Sequence, residues 1–153
     1  VLVHSFRNAV DHGIEEVDVR VSNFKKPSGT ITVEYSEISN EGHPAMKFVV
    51  RDDGAGIDPV QLRKKVAEYD KQVNVDELSD YEVIQYIFKP GFTSREELGE
   101  FSGRGVGMDA IKSQVMQLNG EIMVNSIVGQ GSTLTIILPI LEEVSKHNRG
   151  VAA

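Results

Sequence analysis

Residues 30–56 read TITVEYSEISNEGHPAMKFVVRDDGAG, and this stretch decides the fold. Ile31, Val33 and Tyr35 alternate with polar neighbours, the period of a half-buried strand with one face on a core and one in water. MKFVVRDDG, from Met46, predicts a second strand. Between them Ser39 to Pro44 is polar and carries Gly42, which suits a chain reversal, so the two strands are expected to pair as an antiparallel hairpin. The glycines of DDGAG fall at the boundary where the second strand ends.

Working outward, Leu2, Val3, Phe6 and Val10 recur at helical spacing with Gly13 after the last turn, which predicts a buried-faced helix ending near His12. Residues 14–29, with Pro27 and Gly29, read as a connection. Downstream, Pro59 suits the first turn of a helix over Val60 to Tyr69, and Ser79 is placed to cap another over Asp80 to Phe88. From Lys89 to Gly107 the chain is rich in Gly, Ser, Thr and charge, and is too long for an ordinary connection, which points to a functional lid. Val106 to Leu118 returns to helical spacing and stops at Asn119 and Gly120. EIMVNSIV and STLTIILPI then predict two strands joined through Gly129 and Gly131. The order implies an α+β two-layer sandwich, a mostly antiparallel mixed sheet with helices on one face and a long lid.

The chain has 153 residues, two-fifths of them apolar, which suits one domain. A net charge of −7, with no basic stripe, argues against nucleic acid as a partner. With no cysteine there is neither a disulfide framework nor a thiolate metal site, and a reducing cytoplasm fits. No apolar run approaches the ~20 residues of a membrane-spanning helix, so membrane insertion is not expected. The abrupt helical opening and the tail HNRGVAA suggest one domain over residues 1–153, excised from a longer multidomain protein.

Three glycine motifs stand at element boundaries: DDGAG (52–56), SGRGVGM (102–108) and GQGST (129–133). Glycine permits positive φ and close approach to a ligand, and successive amides there can face phosphate oxygens. Each alone reads first as a simple turn, since short glycine patterns match by chance. No GxxxxGK[ST] occurs, and Met108 stands where the third glycine of a dinucleotide fingerprint belongs. Asn8, on the first helix, offers an amide oxygen of the kind that binds Mg²⁺ beside nucleotide phosphates, and His4, Asp11 and His12 share its polar stripe.

HSFRNAVDHGIE, followed by DDGAGI, FKPGFTS, SGRGVGMD and GQGST, resembles the catalytic ATP-binding domain of chemotaxis sensor histidine kinases of the CheA type. More broadly it resembles the GHKL superfamily of gyrase, chaperone, histidine kinase and mismatch-repair ATPases, whose Bergerat fold is an α/β sandwich. The resemblance implies ATP and Mg²⁺ as cofactors, with Asn8 as magnesium ligand and His4 beside it. It implies that Asp52 accepts a hydrogen bond from the adenine amino group and that Gly54 and Gly56 let the base lie close. Ile57, Asp11 and His12 would join that nucleotide site. Ser102, Gly103, Arg104, Gly105, Val106, Gly107 and Met108 would form the lid end and helix start around the phosphates. Ser132 would support the adenine pocket, a departure from the more usual threonine that keeps the hydroxyl. Phe88 and Phe92 would close over the nucleotide, with a core position as the competing reading for Phe88.

The hydrolases of this superfamily carry a glutamate four residues before the magnesium asparagine; here that residue is His4, as in chemotaxis kinases. The resemblance therefore implies transfer of the γ-phosphate to a histidine on a separate phosphotransfer domain, with Mg²⁺ and Arg104 neutralising charge. It implies a downstream response regulator and a dimer formed through a domain absent from this chain. The competing classes are a nucleotide-sensing or scaffolding module without phosphotransfer and a stand-alone ATPase. Arg7 and Lys112 are weaker phosphate candidates, since single basic residues on helices are commonly just solvated.

Overall fold

The computed structural model of the chain describes residues 13–92 and 107–140. Within them β1 (Ile31–Asn40), β2 (His43–Asp52), β3 (Glu121–Ile127) and β4 (Gly131–Pro139) form one four-stranded sheet in the order β1-β2-β4-β3. All three pairings are antiparallel, so no parallel component of the expected mixed sheet occurs among the described residues. The helices there are α1 (Val17–Ser22), α2 (Pro59–Tyr69), α3 (Asp80–Gln85) with a 3-10 turn at Tyr86–Phe88, and α4 (Met108–Gln117). The helix expected up to His12 lies outside the described residues, as does the expected lid beyond Phe92 up to Val106.

The hairpin is tighter than the sequence predicts. The strands extend to Asn40 and from His43, leaving only Glu41 and Gly42 in the turn, at φ 51° and 84°. Two successive left-handed residues are the combination of type I′ turns, whose twist matches that of the strands they join. Pairing then sets two apolar rows across one face of the sheet. Phe48 faces Ile136, which faces Ile122; Val50 faces Leu134, which faces Val124. Val66 of α2, Val83 and Ile84 of α3 and Val115 of α4 pack against these rows in one core. Removing each such side chain from water contributes about 1.5–3 kcal/mol before entropy is counted.

The alternation in β1 has the expected phase and a different outcome. Val33 lies opposite Val50 and Tyr35 opposite Phe48, so both belong to the core side of the sheet. Yet Val33 is 39% and Tyr35 75% exposed. The reason is lateral position, because α3 and α4 pack over β3 at the other edge and their cover does not reach β1.

Local chemistry explains the helix limits. Asp58 accepts the Val60 amide at 2.8 Å and Pro59 occupies the first turn of α2, where its missing N–H costs nothing. Ser79 and Glu82 form a reciprocal capping box at the start of α3. After α4, Asn119 at φ 53° is the left-handed stop, and the Gly120 amide turns back to the Val115 carbonyl at 3.0 Å. The helix α1 was not expected. Its sequence VDVRVS alternates like a strand, and its one buried side chain is Arg20.

Candidate functional site

The apolar rows of the core end in a polar one. Two residues beyond Val50 stands Asp52, beside Ser132 of β4, which pairs with Ser126 of β3. Asp52 is 9% exposed, and its Oδ1 accepts amides from both sides: Gly54 at 2.9 Å and Ser132 at 3.2 Å. Its Oδ2 accepts no hydrogen bond from the described residues. A nearly buried carboxylate with one oxygen fixed by the protein and the other open suits a ligand that donates protons there, such as an amino group. Thus this acceptor fits the amino group of the nucleotide base implied by the resemblance.

Ser126 and Ser132 touch through their hydroxyls at 3.0 Å. Ser126 Oγ also donates to the Gly131 carbonyl at 3.0 Å and accepts the Ile57 amide at 2.8 Å. Because the Ser126 proton is committed to Gly131, the proton between the hydroxyls comes from Ser132. Sequence reasoning names Ser132 and misses Ser126, whose only signal is its register position across the hairpin.

The DDGAG loop is stitched to its neighbours by backbone. The Ala55 amide donates to the Gly13 carbonyl at 2.8 Å, and the Gly129 amide donates to the Ala55 carbonyl at 2.7 Å. This crowding sets the role of the two expected glycines. A Cβ at Gly54 would lie 1.8 Å from the Gly13 oxygen, and one at Gly56, which sits at φ 73°, would lie 2.3 Å from the Ile127 oxygen. Among the described residues the close approach is therefore of backbone on backbone. Ile57 closes the loop and packs, half-buried, against the core.

On the outer side of the loop is a charge cluster that the sequence reading passes over as a connection. Arg20 is 1% exposed, and its guanidinium reaches Glu15 Oε2 at 2.9 Å, Asp53 Oδ2 at 3.0 Å and the Asp53 carbonyl at 3.2 Å. It also donates to the carbonyls of Lys26 at 2.8 Å and Ser28 at 3.3 Å. Lys25 Nζ binds Glu15 Oε1 at 2.6 Å and the carbonyls of Asp53 at 2.9 Å and Gly54 at 2.7 Å. Burial alone would raise the Glu15 carboxyl, but hydrogen bonds and charge from Lys25, with Arg20 adding to them, hold it below its ordinary 4.5. Asp53 likewise lies below 3.8, because the Thr30 amide and the Arg20 guanidinium outweigh its desolvation.

The remaining expected residues divide. Phe88 and Phe92, expected to close over a nucleotide, are core members at 4% and 8% exposure. Phe92 meets Tyr69 edge-on at 5.3 Å and Tyr86 at 5.9 Å, and Lys112 Nζ lies 5.7 Å from the Phe88 ring. Aromatic partners at that spacing supply the contacts a ligand base would otherwise have offered. Gly107 is the first residue of the α4 start, with no side-chain cap, and Met108 opens the helix and packs against the core. The Gly107 end of this ten-residue helix carries the partial positive charge that attracts an anion, and Asp109 in its first turn already accepts the Ala110 amide at 2.8 Å. His4, Asn8, Asp11, His12, Ser102, Gly103, Arg104, Gly105 and Val106 lie outside the described residues. Among the described residues no group of three or more His, Cys, Asp or Glu side chains is placed to hold a metal, and no helix is long and apolar enough to cross a membrane.

Comparison with known proteins follows the same lines. The family model described as histidine kinase-, DNA gyrase B-, and HSP90-like ATPase matches residues 1–142. The chain is similar to the chemotaxis protein CheA of Halobacterium salinarum, 42% identical over 147 residues that cover 95% of this chain and 21% of that protein. It is also similar to the gliding motility regulatory protein of Myxococcus xanthus, 43% identical over 142 residues, with 90% and 18% covered. The chain thus spans about a fifth of the length of these relatives. Among solved structures it is similar in fold to the mycobacterial sensor histidine kinase MprB, with a TM-score of 0.51 at 18% identity over 90% of this chain and 66% of that one.

Proposed function

The chain belongs to the histidine kinase-, DNA gyrase B-, and HSP90-like ATPase family, and from that membership we propose that it is the ATP-binding catalytic domain of a chemotaxis-type protein-histidine kinase. The observation that carries the reading is the Asp52 carboxylate, with Oδ1 fixed by Gly54 and Ser132 and Oδ2 accepting no hydrogen bond from the described residues. In this reading Oδ2 accepts the adenine amino group, Ser132 and Ile57 flank the base, and the α4 amides beginning at Gly107 face the phosphates.

Asn8 and His4 would hold Mg²⁺, which supplies charge neutralisation on the phosphates when bound. Arg104 would face the same charge. The acceptor is a histidine on a separate phosphotransfer domain, and a response regulator takes the phosphoryl group onward; dimerisation belongs to a domain beyond this chain. His4 in the place of the hydrolases' glutamate favours transfer over hydrolysis, and the similarity to CheA supports the chemotaxis subgroup.

Incubating the chain with radiolabelled ATP, Mg²⁺ and a CheA-type phosphotransfer domain tests this directly. Label on that domain's histidine is expected, and Asn8→Ala should weaken magnesium-dependent nucleotide binding while the melting temperature holds. Steady phosphate release with no labelled histidine would favour the stand-alone ATPase, and binding with neither outcome would favour the sensing module.

A further inference from the structure

The largest fully buried side chain among the described residues is a cation, Arg20, which the nucleotide reading does not use. Its neighbour in the cluster, Lys25, shares two of its partners, Glu15 and the Asp53 carbonyl. What matters is which carbonyl that is. The Asp53 C=O and the Gly54 N–H belong to one planar peptide group, and they point to opposite sides of it. Arg20 at 3.2 Å and Lys25 at 2.9 Å hold its oxygen, while its N–H donates to Asp52 Oδ1 at 2.9 Å. Cations on the oxygen fix the plane and polarise the N–H, which strengthens the bond on the far side.

We propose that Arg20 and Lys25 are positioning residues for base recognition, acting through the 53–54 peptide to aim the Asp52 carboxylate. The other bonds of the cluster serve the same end. Glu15 bridges the two cations at 2.9 and 2.6 Å, and Asp53 is tied to Thr30 by its own amide at 3.2 Å and by its Oδ1 at 2.9 Å. Lys25 also holds the Gly54 carbonyl at 2.7 Å, so the following peptide is fixed as well. Without the cations the oxygen of the 53–54 peptide loses both its holds, the Gly54 N–H is less polarised, and one of the two bonds that orient the carboxylate weakens.

The proposal rests on Asp52 reading the adenine amino group, and its test separates the two claims. Lys25→Met keeps the stem of a side chain that is 15% exposed and removes the ammonium with its bonds to Glu15 and to the Asp53 and Gly54 carbonyls. Affinities for non-hydrolysable ATP and for its 6-oxo counterpart, the inosine analogue, are measured by calorimetric titration of the full chain. The variant is expected to bind ATP about tenfold more weakly, the loss of roughly one charge-assisted hydrogen bond, with the inosine analogue little changed. Lys25→Arg should recover most of the preference, and in the nucleotide-free protein the Gly54 amide proton should move upfield in Lys25→Met alone. Equal losses for both nucleotides would mean that Lys25 only supports the fold and would overturn the proposal; so would an unchanged ratio with an unmoved Gly54 resonance. If the parent chain itself does not prefer ATP, the adenine reading of Asp52 fails and the proposal falls with it.

Discussion

Replacing Asp52 by asparagine changes the two ends of one side chain in opposite ways. Toward the protein, Oδ1 keeps its place and still accepts the Gly54 amide at 2.9 Å and the Ser132 amide at 3.2 Å. Each bond passes from charge-assisted to neutral, a loss of about 0.5–1 kcal/mol apiece. That lowers the melting temperature by roughly 2–8 °C, given about 2–4 °C per kcal/mol for a domain of this size. Toward the ligand, Oδ2 becomes an amide nitrogen, so an acceptor becomes a donor. Opposite an adenine amino group two donors then meet, at a penalty of about 1–3 kcal/mol, or roughly 5- to 150-fold in ATP affinity. An inosine nucleotide presents a carbonyl at that position and should bind the variant better than it binds the parent. Titration calorimetry with both non-hydrolysable analogues, on protein shown by melting to be folded, measures the exchange of preference. Unchanged ATP affinity in a folded Asp52→Asn protein, or an equal loss for both nucleotides, would falsify the assignment of Asp52 to the base.

Three further expectations follow from packing, capping and charge. Gly54→Ala places a methyl 1.8 Å from the Gly13 oxygen that the Ala55 amide also uses at 2.8 Å; overpacking and a lost hydrogen bond should cost about 2–4 kcal/mol by urea unfolding. Ser79→Ala dismantles the capping box of α3 and should destabilise by about 1 kcal/mol, with nucleotide affinity unchanged. Glu15 and Asp53 titrate below their ordinary 4.5 and 3.8 in the folded chain, so the unfolded chain binds more protons in that range. Their stabilisation is present above about 4.5 and is lost as pH falls through the folded values, so urea midpoints should drop on acidification and drop less in Asp53→Asn.

Much of the fold is legible because its signals are local. Pro59, Ser79 and the Asn119–Gly120 pair mark helix limits by their own backbone and hydrogen-bonding chemistry, and the hairpin follows from two alternating runs around Gly42. The misread parts depend on distant partners. Val33 and Tyr35 carry the right phase, yet whether a phase is covered depends on where helices lie across the sheet. Val17, Val19 and Val21 are exposed on α1 while Arg20 is buried, the reverse of what polarity suggests, because Glu15 and Asp53 complete the arginine's hydrogen bonds. At the site, Asp52, Gly54, Gly56 and Ser132 are readable as ordered motifs. Ser126 and Lys25 belong to no motif: the register brings Ser126 to Ser132, and the returning loop brings Lys25 to the Asp53 and Gly54 carbonyls. Phe92 shows the converse: a motif position filled by a side chain that Tyr69 and Tyr86 draw into the core.

The sheet order carries a consequence for how the domain assembles. The β1–β2 and β3–β4 hairpins each join neighbours in the chain, but the seam between β2 and β4 brings together residues such as Asp52 and Ser132 that are 80 positions apart. Closing so long a loop is entropically expensive and slow, so the hairpins should form early and the seam late. Asp52 and Ser132 meet across that seam, so the corner proposed to hold the base comes into being only at the last step. A ligand held there grips a contact absent from the folding transition state, and so it should act as a latch, slowing unfolding while leaving the folding rate as it was.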